Sequence, residues 1–163
     1  MGNTAASLFS EVEIDGVKQQ NITTTYTFNT TGEHTIKYTF VSSDTIGDTA
    51  FRQCAQMTEV TIPNNVTSIG RFAFASCSKL RNVIIGSGVT TIGDYAFTYC
   101  EALSTITVNT SVAPILEGSN VFMIIKYVGI LYVPQNNTGY DTWMQNANYY
   151  LGKYGWEKRT IGN

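Results

Sequence analysis

Between residues 8 and 41, apolar and polar side chains alternate. Val12 and Ile14 are interleaved with Glu11, Glu13 and Asp15, Tyr26 and Phe28 with Thr25 and Thr27, and Ile36, Tyr38 and Phe40 with Thr35, Lys37 and Thr39. A period of two puts every second side chain on one face, which predicts strands with one buried side. Asp15-Gly16 and Thr31-Gly32 fall where hairpin turns are needed. The expected element is an antiparallel meander of three or four strands.

From Asp44 the apolar pattern changes period. Ile-Gly-x-x-Ala-Phe-x-x-Cys recurs at Ile46 to Cys54, Ile69 to Cys77 and Ile92 to Cys100, 23 residues apart. Each copy runs into a second match: Met57-x-x-Val60-x-Ile62, Leu80-x-x-Val83-x-Ile85 and Leu103-x-x-Ile106-x-Val108. Val66-x-x-Ile69 and Val89-x-x-Ile92 then lead into the next copy. A repeat in the low twenties supplies one strand of a parallel sheet plus a short return, and only stacked repeats bury their apolar faces. The Leu-x-x-Val-x-Ile segment is the strand. The Ala-Phe-x-x-Cys segment is a short helical or 3₁₀ return that turns Phe51, Phe74 and Phe97 inward. Gly47, Gly70 and Gly93 are expected to hold a backbone angle that a β-carbon resists, and Pro63 closes a strand.

Beyond the third unit the spacing loosens. Val121-Phe122 is a degraded Ala-Phe, and Val128-x-x-Leu131-x-Val133 supplies a fourth strand with two extra residues, as terminal repeats do. From Gln135 the chain turns to Asn, Tyr, Trp and Gly. Asn137 or Thr138 predicts the cap of a helix to about Leu151, with Tyr140, Trp143, Ala147 and Tyr150 at helical spacing. Lys153 to Arg159, with Trp156, then folds back on the last coil. The expected fold is a β-rich α/β solenoid in three parts: an antiparallel cap at 1–43, about four coils at 44–134 and a short helical, aromatic cap at 135–163. An uncapped solenoid exposes its core and strand edge, so both ends are expected to serve closure.

The repeated string resembles the BspA-type leucine-rich repeats of bacterial surface proteins, abundant in Bacteroides and related gut and oral bacteria. The resemblance covers roughly Asp44 to Pro134, and the Leu131-Tyr-Val-Pro134 ending with its aromatic tail resembles the way such proteins close. It implies a surface-displayed or secreted solenoid, with adhesins among its members. It carries no catalytic motif and no cofactor.

Composition narrows the function. With 10 basic and 12 acidic residues and a net charge of −2, the chain lacks the clustered positive surface that nucleic acid requires. No apolar run approaches the roughly 20 residues of a membrane span; Val121 to Val133 is interrupted by Lys126 and Gly129. Met1-Gly2 opens into polar residues without the apolar stretch of a secretory signal. That leaves a cytoplasmic protein or one whose export signal has been removed, and the resemblance favours the second, at a bacterial surface or outside the cell.

Cys54, Cys77 and Cys100 occupy one position of successive coils, about 4.8 Å apart if they stack as strands do. Disulfides need closer β-carbons and structural zinc needs four ligands, so the expectation is a buried ladder of thiols. His34, beside Glu33, has no nucleophile or orienting acid at a recognisable spacing. Glu11, Glu13 and Asp15 read as a solvated strand face rather than a cation cage. Gly86-Ser-Gly88 replaces the Pro63-Asn-Asn turn and lacks the lysine of a phosphate loop.

The candidate binding surface is the outward face of the parallel sheet. One row holds Glu59, Asn82, Thr105 and Ile130, and the other Thr61, Ile84, Thr107 and Tyr132. Both grow more apolar toward the C-terminal end. An aromatic sugar platform at Trp143 and Trp156 is the alternative site. The expected function is non-enzymatic adhesion to a host or bacterial surface protein or a glycan; the alternative is a spacer within a larger surface protein, without a ligand of its own.

Overall fold

The structure, a computed structural model, describes residues 9–20, 29–32, 34–40 and 44–162. The chain divides into two compact units, Met1–Ser43 and Asp44–Asn163.

In the first unit, β1 (Phe9–Ile14), β2 (Val17–Lys18) and β3 (Ile36–Phe40) form an antiparallel sheet of order β2-β1-β3. Asp15 and Gly16 join β1 to β2 with φ of 49° and 81°. Two positive angles in succession give the hairpin turn whose twist matches its strands. Val12 and Ile14 are buried. The acidic row does not converge on one point: Glu11 pairs with Lys18 at 2.7 Å and Asp15 with His34 at 2.7 Å. The alternating Tyr26-Phe28 run lies outside the described residues.

The second unit is a parallel solenoid built on two ladders. The longer sheet has order β12-β11-β9-β7-β5, from β5 (Glu59–Ile62), β7 (Asn82–Ile85), β9 (Thr105–Val108), β11 (Ile130–Val133) and β12 (Glu157–Thr160). The shorter has order β10-β8-β6-β4, from the two-residue strands β4 (Thr45–Ile46), β6 (Ser68–Ile69), β8 (Thr91–Ile92) and β10 (Ile115–Leu116). The pairs Glu59↔Asn82 and Asn82↔Thr105 keep the offset of 23 read from the sequence. It grows to 25 at Thr105↔Ile130 and 27 at Ile130↔Glu157.

Because every coil repeats the same inward positions, each core side chain meets its own counterpart. Phe51, Phe74, Phe97 and Phe122 stack in parallel at centroid separations of 5.2, 5.3 and 6.0 Å, within the range in which offset rings attract. Leu80, Leu103, Ile69, Ile92, Val66 and Val89 fill the rest of the interior.

Three sequence expectations change. The return segments are neither helical nor 3₁₀ but a succession of turns with alternating hydrogen bonds. Ala73, Ala75 and Cys77 donate three residues back, to Gly70, Phe72 and Phe74, while Phe72, Phe74 and Ser76 donate to Asp94, Ala96 and Thr98 of the next coil. The return is thus a third inter-coil ladder, which leaves few orphan backbone groups. Second, Gly70 and Gly93 are required by close approach. A β-carbon on Gly93 would lie 2.7 Å from the Arg71 nitrogen, and one on Gly70 2.6 Å from the Asp48 nitrogen. The left-handed angles fall instead on Thr49, Phe72 and Tyr95 and on Gln53, Ser76 and Tyr99.

Third, no helix runs from Thr138 to Leu151. Turns occupy that stretch, followed by a 3₁₀ helix at Leu151–Tyr154 and then β12, which adds a fifth strand beside β11. Trp143 continues the phenylalanine ladder, 5.5 Å from Phe122. The C-terminal segment is therefore a further, irregular coil. Its edge strand is charged: Glu157, Lys158 and Arg159 are exposed, and Lys158 occupies an inward-row position and pairs with Asp141 at 2.5 Å. Charges on an edge strand oppose pairing with another chain.

Candidate functional site

Parallel pairing without slippage carries the outward residues of each strand into straight rows, since side-chain direction alternates with period two. Glu59, Asn82, Thr105 and Ile130 are mutual partners across β5, β7, β9 and β11, as are Thr61, Ile84, Thr107 and Tyr132. Their companions Val83, Ile85, Ile106, Val108, Leu131 and Val133 are buried. Glu59 and Thr61 are exposed, and the other six predicted residues are half-buried by their neighbours in the row.

β12 extends both rows by residues that the sequence reading did not place there, Glu157 beside Ile130 and Arg159 beside Tyr132. The apolar trend toward the C-terminal end therefore stops short of the edge. Ile84, Ile130 and Tyr132 stand in the interior of the sheet, with Glu59 at one margin and the Glu157–Arg159 pair, 2.8 Å apart, at the other. Glu157 beside Arg159 raises the guanidinium pKa above its ordinary value, and contact with Tyr132 adds a smaller contribution in the same direction. Within the first row, Asn82 Nδ2 donates to Glu59 Oε2 at 3.2 Å. The face thus sets apolar Ile84, Ile130 and Tyr132 on either side of the central threonines Thr105 and Thr107, between charged margins.

The alternative site is not available. Trp143 is 1% and Trp156 5% exposed, and their indole N–H groups donate to the carbonyls of Pro114 and Lys126 at 3.1 and 3.0 Å. A β-carbon on Gly129 would overlap the Trp156 ring. Both are core side chains that offer no face to a sugar.

The cysteines behave unequally. Cys77 and Cys100 are buried and donate through Sγ to the carbonyls of Phe51 and Phe74 in the preceding coil, each at 3.2 Å. Cys54, in the first coil, is partly exposed, so the expected ladder is buried only at its second and third rungs. Burial raises all three thiol pKa values, that of Cys77 to about 12.

His34 stands before β3 with Nδ1 2.7 Å from Asp15 Oδ2 and Nε2 3.1 Å from the Thr30 carbonyl. Both ring nitrogens thus face acceptors, which suits the imidazolium; the Asp15 bond is the larger cause of its raised pKa and the Thr30 carbonyl the second. Among the described residues no group of three or more His, Cys, Asp or Glu is placed to hold a metal ion. No helix there is long and apolar enough to cross a membrane.

A family model described as the BspA type leucine rich repeat region matches residues 44–146 in 6 copies. The match runs past Pro134, where the sequence expectation ended the repeats, and takes in the turn that carries Trp143. No curated protein and no solved structure matches the chain significantly. The signal for the additional coil was present: Gly47, Gly70, Gly93, Gly118 and Gly139 each precede an aromatic residue by four positions, the last being Trp143.

Proposed function

The chain belongs to the BspA-type leucine-rich repeat family, and from that premise we propose that it is a non-enzymatic binding module of a bacterial surface or secreted protein, recognising a host protein or glycan through the outer face of its five-stranded sheet. The observation that carries this reading is the pair of in-register rows across five strands, with Ile84, Ile130 and Tyr132 inside a margin of Glu59, Glu157 and Arg159. Apolar and small hydroxyl side chains inside a charged rim are how interfaces are commonly built. At about 4.8 Å per strand the face is roughly 19 Å wide, so a ligand engages several coils at once.

The test is a binding screen of the whole chain against immobilised extracellular matrix proteins and a glycan array, repeated with Asn82→Ala and Ile84→Ala. A ligand whose affinity falls in both variants supports the reading. Absence of any ligand across both panels favours the spacer, in which the solenoid only holds other parts of a larger protein apart.

A further inference from the structure

On the return side of the solenoid, Phe72 and Tyr95 occupy equivalent positions in successive coils with φ of 55° and 61°. Left-handed backbone suits Gly, Asn and Asp and is costly for a bulky side chain. Burial does not compensate for this cost. Both rings are only half-buried, whereas the neighbouring Phe74 and Phe97 are fully enclosed. They lie against each other instead, with centroids 4.8 Å apart and planes 7° from parallel. The stack ends there among the described residues, so one face of Tyr95 has no ring over it.

Two guanidiniums converge on the same ledge. Arg52, from the preceding coil, and Arg71 place their central carbons 5.7 and 5.5 Å from the Phe72 centroid. Both arginines are exposed, and neither forms an ion pair among the described residues, although the chain carries 12 acidic residues. The adjacent Asp48 is engaged elsewhere, accepting the Arg71 backbone N–H at 2.7 Å. The backbone beneath is consumed by the inter-coil ladder: Thr49, Phe51, Gln53, Phe72, Phe74 and Ser76 all donate to the next coil. A ligand here is read by rings and guanidiniums, not by strand addition, and that disfavours a peptide. Two cations on a chain of net charge −2 fall short of what a phosphate backbone requires.

We propose that Arg52, Arg71, Phe72 and Tyr95 form a binding site for an anionic saccharide, a sugar carrying a carboxylate or a sulfate. The apolar C–H face of the sugar ring lies on the aromatic ledge, and its anionic group accepts paired N–H donors from the guanidiniums. This site is separate from the sheet face and stands or falls without it.

The experiment is calorimetric titration of the whole chain with five probes: an octasaccharide alternating glucuronate and N-acetylglucosamine, the same octasaccharide with its carboxyls reduced to alcohols, a sulfated galactan octasaccharide, and, as polyanion controls, octaglutamate and an eight-residue oligothymidylate. The expected result is binding of at least one anionic saccharide in preference to the reduced one and to both controls. Which of the two binds separates carboxylate from sulfate. Affinity should fall at least tenfold in Arg52→Gln, Arg71→Gln and Tyr95→Asn and hold in Lys126→Gln, which removes an exposed cation away from the ledge. Asparagine tolerates the left-handed angle, so Tyr95→Asn removes the ring without lowering the melting temperature. Failure of both anionic saccharides, equal binding of the reduced saccharide or of a control, or undiminished affinity in the three variants overturns the site.

Discussion

The inward and outward halves of each long strand follow opposite rules. Facing in, Val83, Ile106 and Leu131 occupy one rung, and Ile62, Ile85 and Val108 another, all apolar and of similar size. Facing out, Glu59, Asn82, Thr105, Ile130 and Glu157 share a row in which neighbouring coils never repeat a residue. A repeat protein contains its own comparison: positions that recur from coil to coil are those that close packing dictates, and positions that vary are those that packing leaves free. The stability of this molecule should therefore reside in the inner ladders and its specificity in the outer rows.

The inner side should fail first and most severely at its C-terminal end. Removing everything after Pro134 deletes the buried Tyr140, Trp143, Leu151, Tyr154 and Trp156. At roughly 1.5–3 kcal/mol per buried side chain, that rivals the whole stability of a typical domain, and it exposes β11 as an uncharged edge. The truncated chain is expected to unfold or associate, which circular dichroism and sedimentation will show; a monomer with the parent melting curve contradicts the ladder's extension to Trp143.

Next in size is Phe74→Ala in the middle coil. Phe74 is fully buried between Phe51 and Phe97, so the cavity should cost about 3–5 kcal/mol, read as a lowered denaturant midpoint. Replacement of the half-exposed Phe72 by Ala should cost far less.

This contrast also marks what was legible in the sequence. Phe51, Phe74 and Phe97 announced themselves by recurring at a fixed interval, and the outward rows followed from strand alternation. The last coil was hidden because Tyr140, Trp143, Ala147 and Tyr150 happen to fall at helical spacing. Left-handed angles at Gly139 and Asn148, of 84° and 49°, interrupt a helix over 138–151 near both ends, and the hydrogen bonds between them, from Thr142, Met144 and Gln145, reach only three residues back. The aromatic ledge was hidden for a related reason. The glycines are where positive φ is expected, but inter-coil contact claims Gly70 and Gly93, and the turns place it on Phe72 and Tyr95, where no residue type signals it.

A smaller effect separates the rungs of the thiol ladder. Because thiolate is the reactive form and burial raises the pKa most at Cys100 and Cys77, native alkylation followed by mass spectrometry should label Cys54 alone at an appreciable rate. Equal labelling of all three would mean that the coils open freely.

The smallest effect belongs to the first unit. The Asp15 hydrogen bond raises the His34 pKa above 6.5, and the His34 bond lowers that of Asp15 below 3.8. A raised histidine pKa stabilises fully below 6.5 and fades as pH rises through the folded value. A lowered carboxyl pKa stabilises above 3.8 and fades as pH falls through the folded value. The pair therefore contributes most between about pH 4 and 6.5. Exchange protection of the Thr35 amide, which donates to Asp15 Oδ1 at 2.8 Å, should decline from pH 6 toward pH 8 once corrected for intrinsic rate, and His34→Gln should flatten that decline.

The division between inner and outer residues is tested most directly at Tyr132, whose strand neighbours Leu131 and Val133 are buried while it faces out. Aromatic anchors concentrate interface energy. Affinity for the partner identified by the screen, measured alongside the melting temperature of Tyr132→Ala, should fall by more than about 1 kcal/mol, roughly fivefold, with the melting temperature unchanged. Unchanged affinity would make the sheet a scaffold only, and a collapsed melting temperature would show that the outer rows also hold the fold together.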